Sequence, residues 1–584
     1  MKRALLLLAL LVACQAGPAP PAPPASSDGS TYAPEPPASK GGSVVLADWE
    51  APDTLDPIHA ATDGDLRVAS LLFEPLWSLG PDLKPHAELL REVPTVANGD
   101  IKAGADGLSM TVDLKLRRGL RWSDGAPLTA DDLIFTVDAI CSASLTAREP
   151  SGFDHIASQV RKSDTEVVWH FGPRPAGSCG LGTDAASGLY PALAAMGPRA
   201  RLLPAHRLAS IPVAAWAADP FFQHPDVVSG PFTFKGAIAG RVIDLAANRQ
   251  YAAGRAHGAW LGGVTYRFYN GKAAMLAGLQ AGEADVGFHL APGDNAELAG
   301  TPGATLLTAA GLRGEYLSPN HGPNTATGLA PPWVGDPIVL RALADAIDRG
   351  ALDGTAFGSR STITPGLFPT LLGVGPAAPP RRALDAARLA LDGDGWQAGQ
   401  DGVRSKAGRR LAFTLLTVCD SEPRQLEQAE LVRQWAQAGF AVGTACQPRA
   451  AFFGSFAKGG VNATGAFDLS LYSNTWEPDP AAWAPLAAAA EIPSAGNPAG
   501  RNWSRCQDPQ LEQAFGAGSA TLDPTRRRTA YRSAAAEWLS YGCTVPLVEW
   551  PSVIERTNRL HNFAPDPTLA MDTWNAADWW LSAP

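Results

Sequence analysis

From residue 108 the chain alternates strictly, with Leu108, Met110, Val112, Leu114 and Leu116 on one side and Ser109, Thr111, Asp113 and Lys115 on the other. Period two predicts a half-buried strand. The stretch TEVVWHF near residue 168 is its plausible partner. Earlier, GSVVLADWEAPDTLDP reads as a buried strand through Val44, Val45 and Leu46 that runs into a proline-marked loop, where α/β sheets tend to bind ligands. Helical spacing takes over elsewhere. Thr129 with Asp132 three residues on predicts an N-cap for a helix through Ile134, Phe135 and Val137. Asp336-Pro337 starts another helix, with Val339, Leu343, Ala346 and Ile347 on one face. MLAGLQAGEADVGF reads as a short helix stopped by Gly282, then a strand through Val286 and Phe288. No period of 20–50 residues recurs, so the body is α/β rather than a solenoid.

The amino terminus has a different pattern. Lys2 and Arg3 precede an unbroken apolar run from Ala4 to Ala13, which fits a secretory signal over 1–13 and is too short to span a bilayer. Leu11-Val12-Ala13-Cys14 resembles the bacterial lipobox, which implies cleavage before Cys14 and acylation of that residue as a membrane anchor. Residues 14–42 are rich in Pro, Ala and Ser and are expected to form an extended tether, reaching on the order of 80 Å at about 3.1 Å per residue. The other cysteines are Cys141, Cys179, Cys419, Cys446, Cys506 and Cys543. An even set in an exported chain favours disulfides; fifteen pairings are open, and the sequential pairs 141–179, 419–446 and 506–543 are the working expectation.

Charged residues are 18% of the 584 and the formal charge is −10, a globular balance with no basic stripe for nucleic acid. The serine-hydrolase elbow, HExxH and CxxC are absent, and Gly271-Lys272-Ala273 lacks the spacing of a phosphate loop. Neither an enzyme nor a cofactor is expected. Asp392, Asp394 and Asp401 lie among glycines but lack the terminal Glu of a calcium loop, so they read as turns. The tryptophans Trp574, Trp579 and Trp580 read as packing.

An ordered set of motifs remains: DTLDP (53–57), LLFEPLW (71–77), LRWSDGAPLTADDLIFT (120–136), GPFTF (230–234), LQAGEADV (279–286), LRALADAIDR (340–349), GWQAGQDGVRSKAGRRL (395–411), FDLSLYSNTWEPDP (467–480) and VPLVEW (545–550). In this order they resemble the family 5 solute-binding proteins of ABC importers, which bind dipeptides, oligopeptides and nickel. The resemblance implies a periplasmic-binding-protein type II fold, two lobes closing on a ligand plus an additional third domain. It divides the chain into 43–85, 200–305 and 545–584 (lobe I), 86–199 (extra domain) and 306–544 (the other lobe). WSDG is then structural.

Peptide binders of that family resemble one another in a D-x-x-D-P acid that pairs with the peptide's amino group. Here the stretch is Tyr472, Ser473, Asn474, Thr475, Trp476, Glu477, Pro478, Asp479, and Trp476 occupies the place of the first acid. Glu477 is one substitute for the missing charge; Trp476 is a flat face for an aromatic or cationic ligand. By position, the remaining candidate walls are Trp49 and Glu50, Ala61 to Asp65 including Thr62, Asp63 and Gly64, and Tyr316 to Asn320. The expected partners are a small solute, an oligopeptide or peptide-like molecule bound in the cleft between the lobes, a permease with its ATPase to which the solute is delivered, and a membrane reached by the lipid anchor, the protein itself being an extracytoplasmic monomer. A non-peptide ligand (metal chelate, haem, sugar or opine) and a signalling or scaffold lipoprotein stay open as alternatives.

Overall fold

The computed structural model describes residues 32–583 except 61, 143, 146–151, 173–188, 191, 377, 476 and 569–571. The signal, Cys14, Cys179 and Trp476 therefore lie outside the described residues.

One mixed sheet runs through both lobes. From one edge its strands are Phe232–Ile238, Val242–Ala247, Gly263–Phe268, Ser43–Asp48, Val286–Leu290, Val545–Thr557, Ala304–Pro319, Leu469–Thr475, Ala412–Val418 and Ala441–Gln447, with the short Thr362–Ile363 strand pairing beside Val545–Thr557 off this path. The Ser43–Asp48 strand is parallel to both its neighbours, as is Ala412–Val418 to its own, and antiparallel pairs join these two parallel centres. Strands covered on both faces carry near-continuous apolar runs, and Val44, Leu46 and Ala47 are fully buried.

Two long strands carry the chain from lobe to lobe. Ala304–Pro319 pairs with Val545–Thr557 in register from Ala304↔Thr557 to Ala310↔Pro551, slips, and resumes at Gly314↔Glu549. Pro551 brings no N–H to the ladder, so the break falls where a backbone donor is missing. On one side of the break the core gathers Leu46, Phe73, Tyr266 and Phe288; on the other, Leu317, Leu343, Trp435 and Leu471.

A third domain carries its own four-stranded sheet and a separate core around Trp122 and Trp169. The strand expected near residue 110 runs Met110–Lys115 with Met110, Val112 and Leu114 buried, and Glu166–Phe171 pairs with it. Leu108 departs from the alternation: it precedes the strand and is exposed. Thr129 and Asp132 form a reciprocal capping box at the Ala130–Ile140 helix. Asp132 also accepts a hydrogen bond from Trp122 Nε1 at 3.2 Å, so WSDG is fastened to that helix cap.

The family-like motifs explain themselves locally. Asp56 of DTLDP accepts from the Ile58 and His59 amides at 2.8 Å. Glu74 of LLFEPLW is buried with Arg255 and Tyr251. Gly230 of GPFTF donates to Leu72 O at 2.7 Å, and a Cβ there would stand 2.5 Å from the Leu72 carbonyl carbon. Only glycine admits that approach.

Cys419 is bonded to Cys446 and Cys506 to Cys543, with Cα separations of 4.9 and 5.3 Å. Cys141 is also disulfide-bonded. The three glycine-flanked acids are each paired with a cation: Asp392 with Arg404, Asp394 with Lys406, which it shares with Asp336, and Asp401 with Arg410.

The expected tether ends early. Tyr32 donates to Asp578 at 2.9 Å and accepts from Asn575 at 2.7 Å, its ring packs edge-on to Trp574, and Ser39 donates to Leu581 O at 2.6 Å. Residues 32–42 are therefore strapped to the C-terminal segment, because Tyr32 and its neighbours find buried partners that a bare Pro/Ala/Ser stretch lacks. Among the described residues no helix is long and apolar enough to cross a membrane.

Candidate functional site

Charged side chains from both lobes converge where the two long strands cross. On lobe I, Asp48 closes the first strand and accepts from His289 Nδ1 at 2.7 Å, Tyr266 Oη at 3.0 Å and Arg67 Nη1 at 3.4 Å. Arg67 enters this group from the Asp63–Leu72 helix, lies over the Phe288 ring and also pairs with Asp572. His289 is aimed there by a left-handed backbone, φ 52°, beside a register shift in its strand. Its Nε2 reaches Asp63 at 3.4 Å.

The electrostatics follow from this packing. Burial and Arg67 oppose a charge on His289, but its bonds to Asp48 and Asp63 prevail and raise it to about 9. It is an imidazolium at neutral pH. Burial likewise works against charge on Asp48 and Asp63, and is outweighed by His289 and Arg67, so both stay below the usual carboxylate range. Asp63 is the open member, its side chain 45% exposed.

On the other lobe, Ser473 Oγ accepts from Arg313 Nε at 2.9 Å and from Arg424 Nη2 at 2.6 Å. Arg424 is forked onto Glu315 at 2.8 and 3.3 Å, and Trp550 Nε1 donates to the same carboxylate at 2.7 Å. Both guanidinium groups lie over the Trp550 ring, Arg313 at 4.4 Å and Arg424 at 5.5 Å. Glu427 is fully buried behind them with neither oxygen hydrogen-bonded, and burial beside Glu315 pushes it well above the usual carboxylate range. Burial and Arg424 bring Arg313 down to about 10, still charged at neutral pH. Asp63 and Arg313 act on each other across the gap between lobes.

The residues expected from sequence divide into two groups. Ser473, Asp63 and Trp49 belong to this convergence; Trp49 Nε1 donates to His289 O at 3.3 Å. Thr475 lies opposite Arg313 and Asn474 opposite Gly314 in the sheet register. Glu50 is exposed next to Trp49, and Gly64 is buried, with Glu50 O 3.6 Å from where its Cβ would stand.

Other expected positions are engaged within the protein. Thr62 spends its hydroxyl capping the Asp63–Leu72 helix through Asp65. Asn320 is fully buried and clamps the Gly465 and Phe467 carbonyls. Tyr316 and Tyr472 are buried edge-to-face at 5.0 Å. Asp479 caps a turn through Ala481 N and pairs with Arg527 at 2.6 Å. Glu477 pairs with Arg199 at 2.6 Å.

Arg67, His289, Arg313, Glu315 and Arg424 are members of this cluster that the sequence patterns do not single out. One signal does exist: Arg313 and Glu315 are charges two apart in an otherwise uncharged strand, hence on one face.

Comparison with known proteins places this geometry in context. Residues 93–490 match the model for bacterial extracellular solute-binding proteins, family 5 middle. The oligopeptide-binding protein AppA of Bacillus subtilis is 24% identical over 428 residues, covering 71% of each chain. Protein XP55 of Streptomyces lividans is 24% identical over 551 residues, 86% of this chain and 82% of its own. Among solved structures, B. subtilis AppA with a nonapeptide has TM-score 0.67 at 20% identity, covering 94% of this chain and all of its own. NikZ of Campylobacter jejuni with Ni(L-His) has TM-score 0.69 at 17% identity, covering 92% of this chain and 99% of its own. The periplasmic EDTA-binding protein EppA has TM-score 0.73 at 17% identity, covering 94% and 98%. The type II fold of two lobes and a third domain is common to this chain and these solved structures.

Proposed function

The chain belongs to the family 5 bacterial extracellular solute-binding proteins, and from that premise we propose that it is the receptor of an ABC importer, binding an oligopeptide or peptide-like solute between its lobes. The observation that carries the reading is the meeting of Asp63 and His289 from one lobe with Arg313 and Ser473 from the other at the strand crossing. A solute touching both sets stabilises the closed arrangement, and that arrangement docks on the permease; the solute shifts the equilibrium by its differential affinity for the two states. Cys14 is the lipid anchor in this reading, and the described body works outside the membrane that it is tied to. The lobe boundaries are those set out from the sequence, with the third domain at 86–199.

A second ligand class is favoured by one specific observation. Both acids of the Glu477-Pro-Asp479 stretch are committed, to Arg199 and Arg527, which leaves neither spare for a free amino group. A metal chelate or another non-peptide solute fits that arrangement, and the solved Ni(L-His) complex of NikZ and the EDTA-binding protein EppA are of the same fold.

The test is to purify the protein without added ligand and identify by mass spectrometry what is released on unfolding. A population of short peptides supports the first reading. A single metal complex or other non-peptide molecule replaces it with the second.

A further inference from the structure

Arg313 sits in the Ala304–Pro319 strand between the register break and Gly314, where the lobes are joined. Its Nε is used on Ser473 and its face on Trp550. Its outer edge, Nη1 and Nη2, has no acceptor among the described residues, and no carboxylate among them stands within ion-pair distance of it. The surrounding charges are spoken for: Arg424 and Trp550 hold Glu315, Arg449 holds Asp420, and Glu427, which makes no ion pair with Arg313, is pushed well above the usual carboxylate range by burial beside Glu315. Asp63 faces Arg313 from the other lobe but is already held by His289.

A partly buried guanidinium left without an anion is costly, and a fork of two parallel N–H donors matches a carboxylate's two oxygens. Ser473 and Trp550 fix that fork in place before anything binds, which lowers the entropy lost on binding.

We propose that Arg313 is a carboxylate-binding subsite of the cleft, so that the protein selects solutes carrying a carboxylate that docks at the strand crossing. With Asp63 opposite, the part of the solute facing lobe I is neutral or cationic, since a second anion there meets like charge. The inference rests on the cleft being the solute site; it names the solute's charged group rather than its class.

The full chain, stripped of bound solute by unfolding and refolding, is exposed to a tryptic digest and to the same digest methyl-esterified. Retained species are read by native mass spectrometry, and thermal unfolding of each ligand-free variant checks the fold. The free-acid pool is expected to be retained at least about tenfold more than the esters. Arg313→Gln should remove that preference while Arg313→Lys keeps part of it. Equal retention of acids and esters by the wild type, or an unchanged preference in Arg313→Gln, overturns the proposal. If the wild type retains neither pool, the peptide reading fails separately, and the solute that co-purifies decides. A carboxylate-bearing solute lost from Arg313→Gln supports the subsite; a solute without a carboxylate, or one kept by the variant, overturns it.

Discussion

Glu477 Oε1 accepts a hydrogen bond from Arg199 Nη2 at 2.6 Å, joining positions 278 apart in sequence. The acid nearest to the family's amine-binding place is thus occupied by an internal cation. Each side chain keeps about a third of its surface in solvent, 31% and 32%, so the pair contributes only about 0–1 kcal/mol. Glu477→Gln is expected to leave solute retention within about threefold and to move the melting temperature little. Loss of retention in native mass spectrometry would return Glu477 to the ligand.

His289 should give the protein a measurable alkaline dependence. Its folded value of about 9 exceeds its ordinary 6.5, so the stabilisation is complete below pH 6.5 and is lost as pH rises through about 9. The contribution is at most about 3 kcal/mol. His289→Asn should flatten the denaturant midpoint between those limits, and a variant profile parallel to the wild type would count against the assignment.

Glu427 and Glu315 flank Arg424 but should respond oppositely to the same change. Glu427 titrates far above its ordinary 4.5 in the folded chain, so folding takes up a proton and stability declines as pH rises above that value. Glu427→Gln keeps the shape, cannot ionise, and should leave stability at neutral pH equal or higher. Glu315→Gln removes the partner of a buried guanidinium and should cost about 3–5 kcal/mol. Chemical denaturation of the two variants side by side decides it.

The strap predicts that stability depends on where the chain begins. A chain starting at Ser43 lacks Tyr32 and Ser39, and with them the bonds to Asp578, Asn575 and Leu581. Tyr32→Phe in the longer chain should cost about 1 kcal/mol, and starting at Ser43 more than that. Equal melting temperatures for the long and short chains would show the strap to be energetically idle.

Local rules are legible in the chain. Alternation locates the Met110–Lys115 strand, Thr129 with Asp132 the capped helix, and Asp336-Pro337 the start of another, because these depend on residues within one or two turns of each other. The motif order points to the family. The roles of the charged residues are not legible, since each depends on a partner far along the chain. That Asp479 stands beside Arg527, and that the Asn320 amide meets Phe467 O, appears only once the chain is folded. His289 gains its charge only where folding sets Asp48, 241 residues away, at 2.7 Å. Sequence alone thus determined the elements and the kind of protein; the tertiary structure decided which charges pair inside, and that Arg313 bonds Ser473 and Trp550 rather than a carboxylate among the described residues, because burial and pairing are properties of what surrounds a side chain.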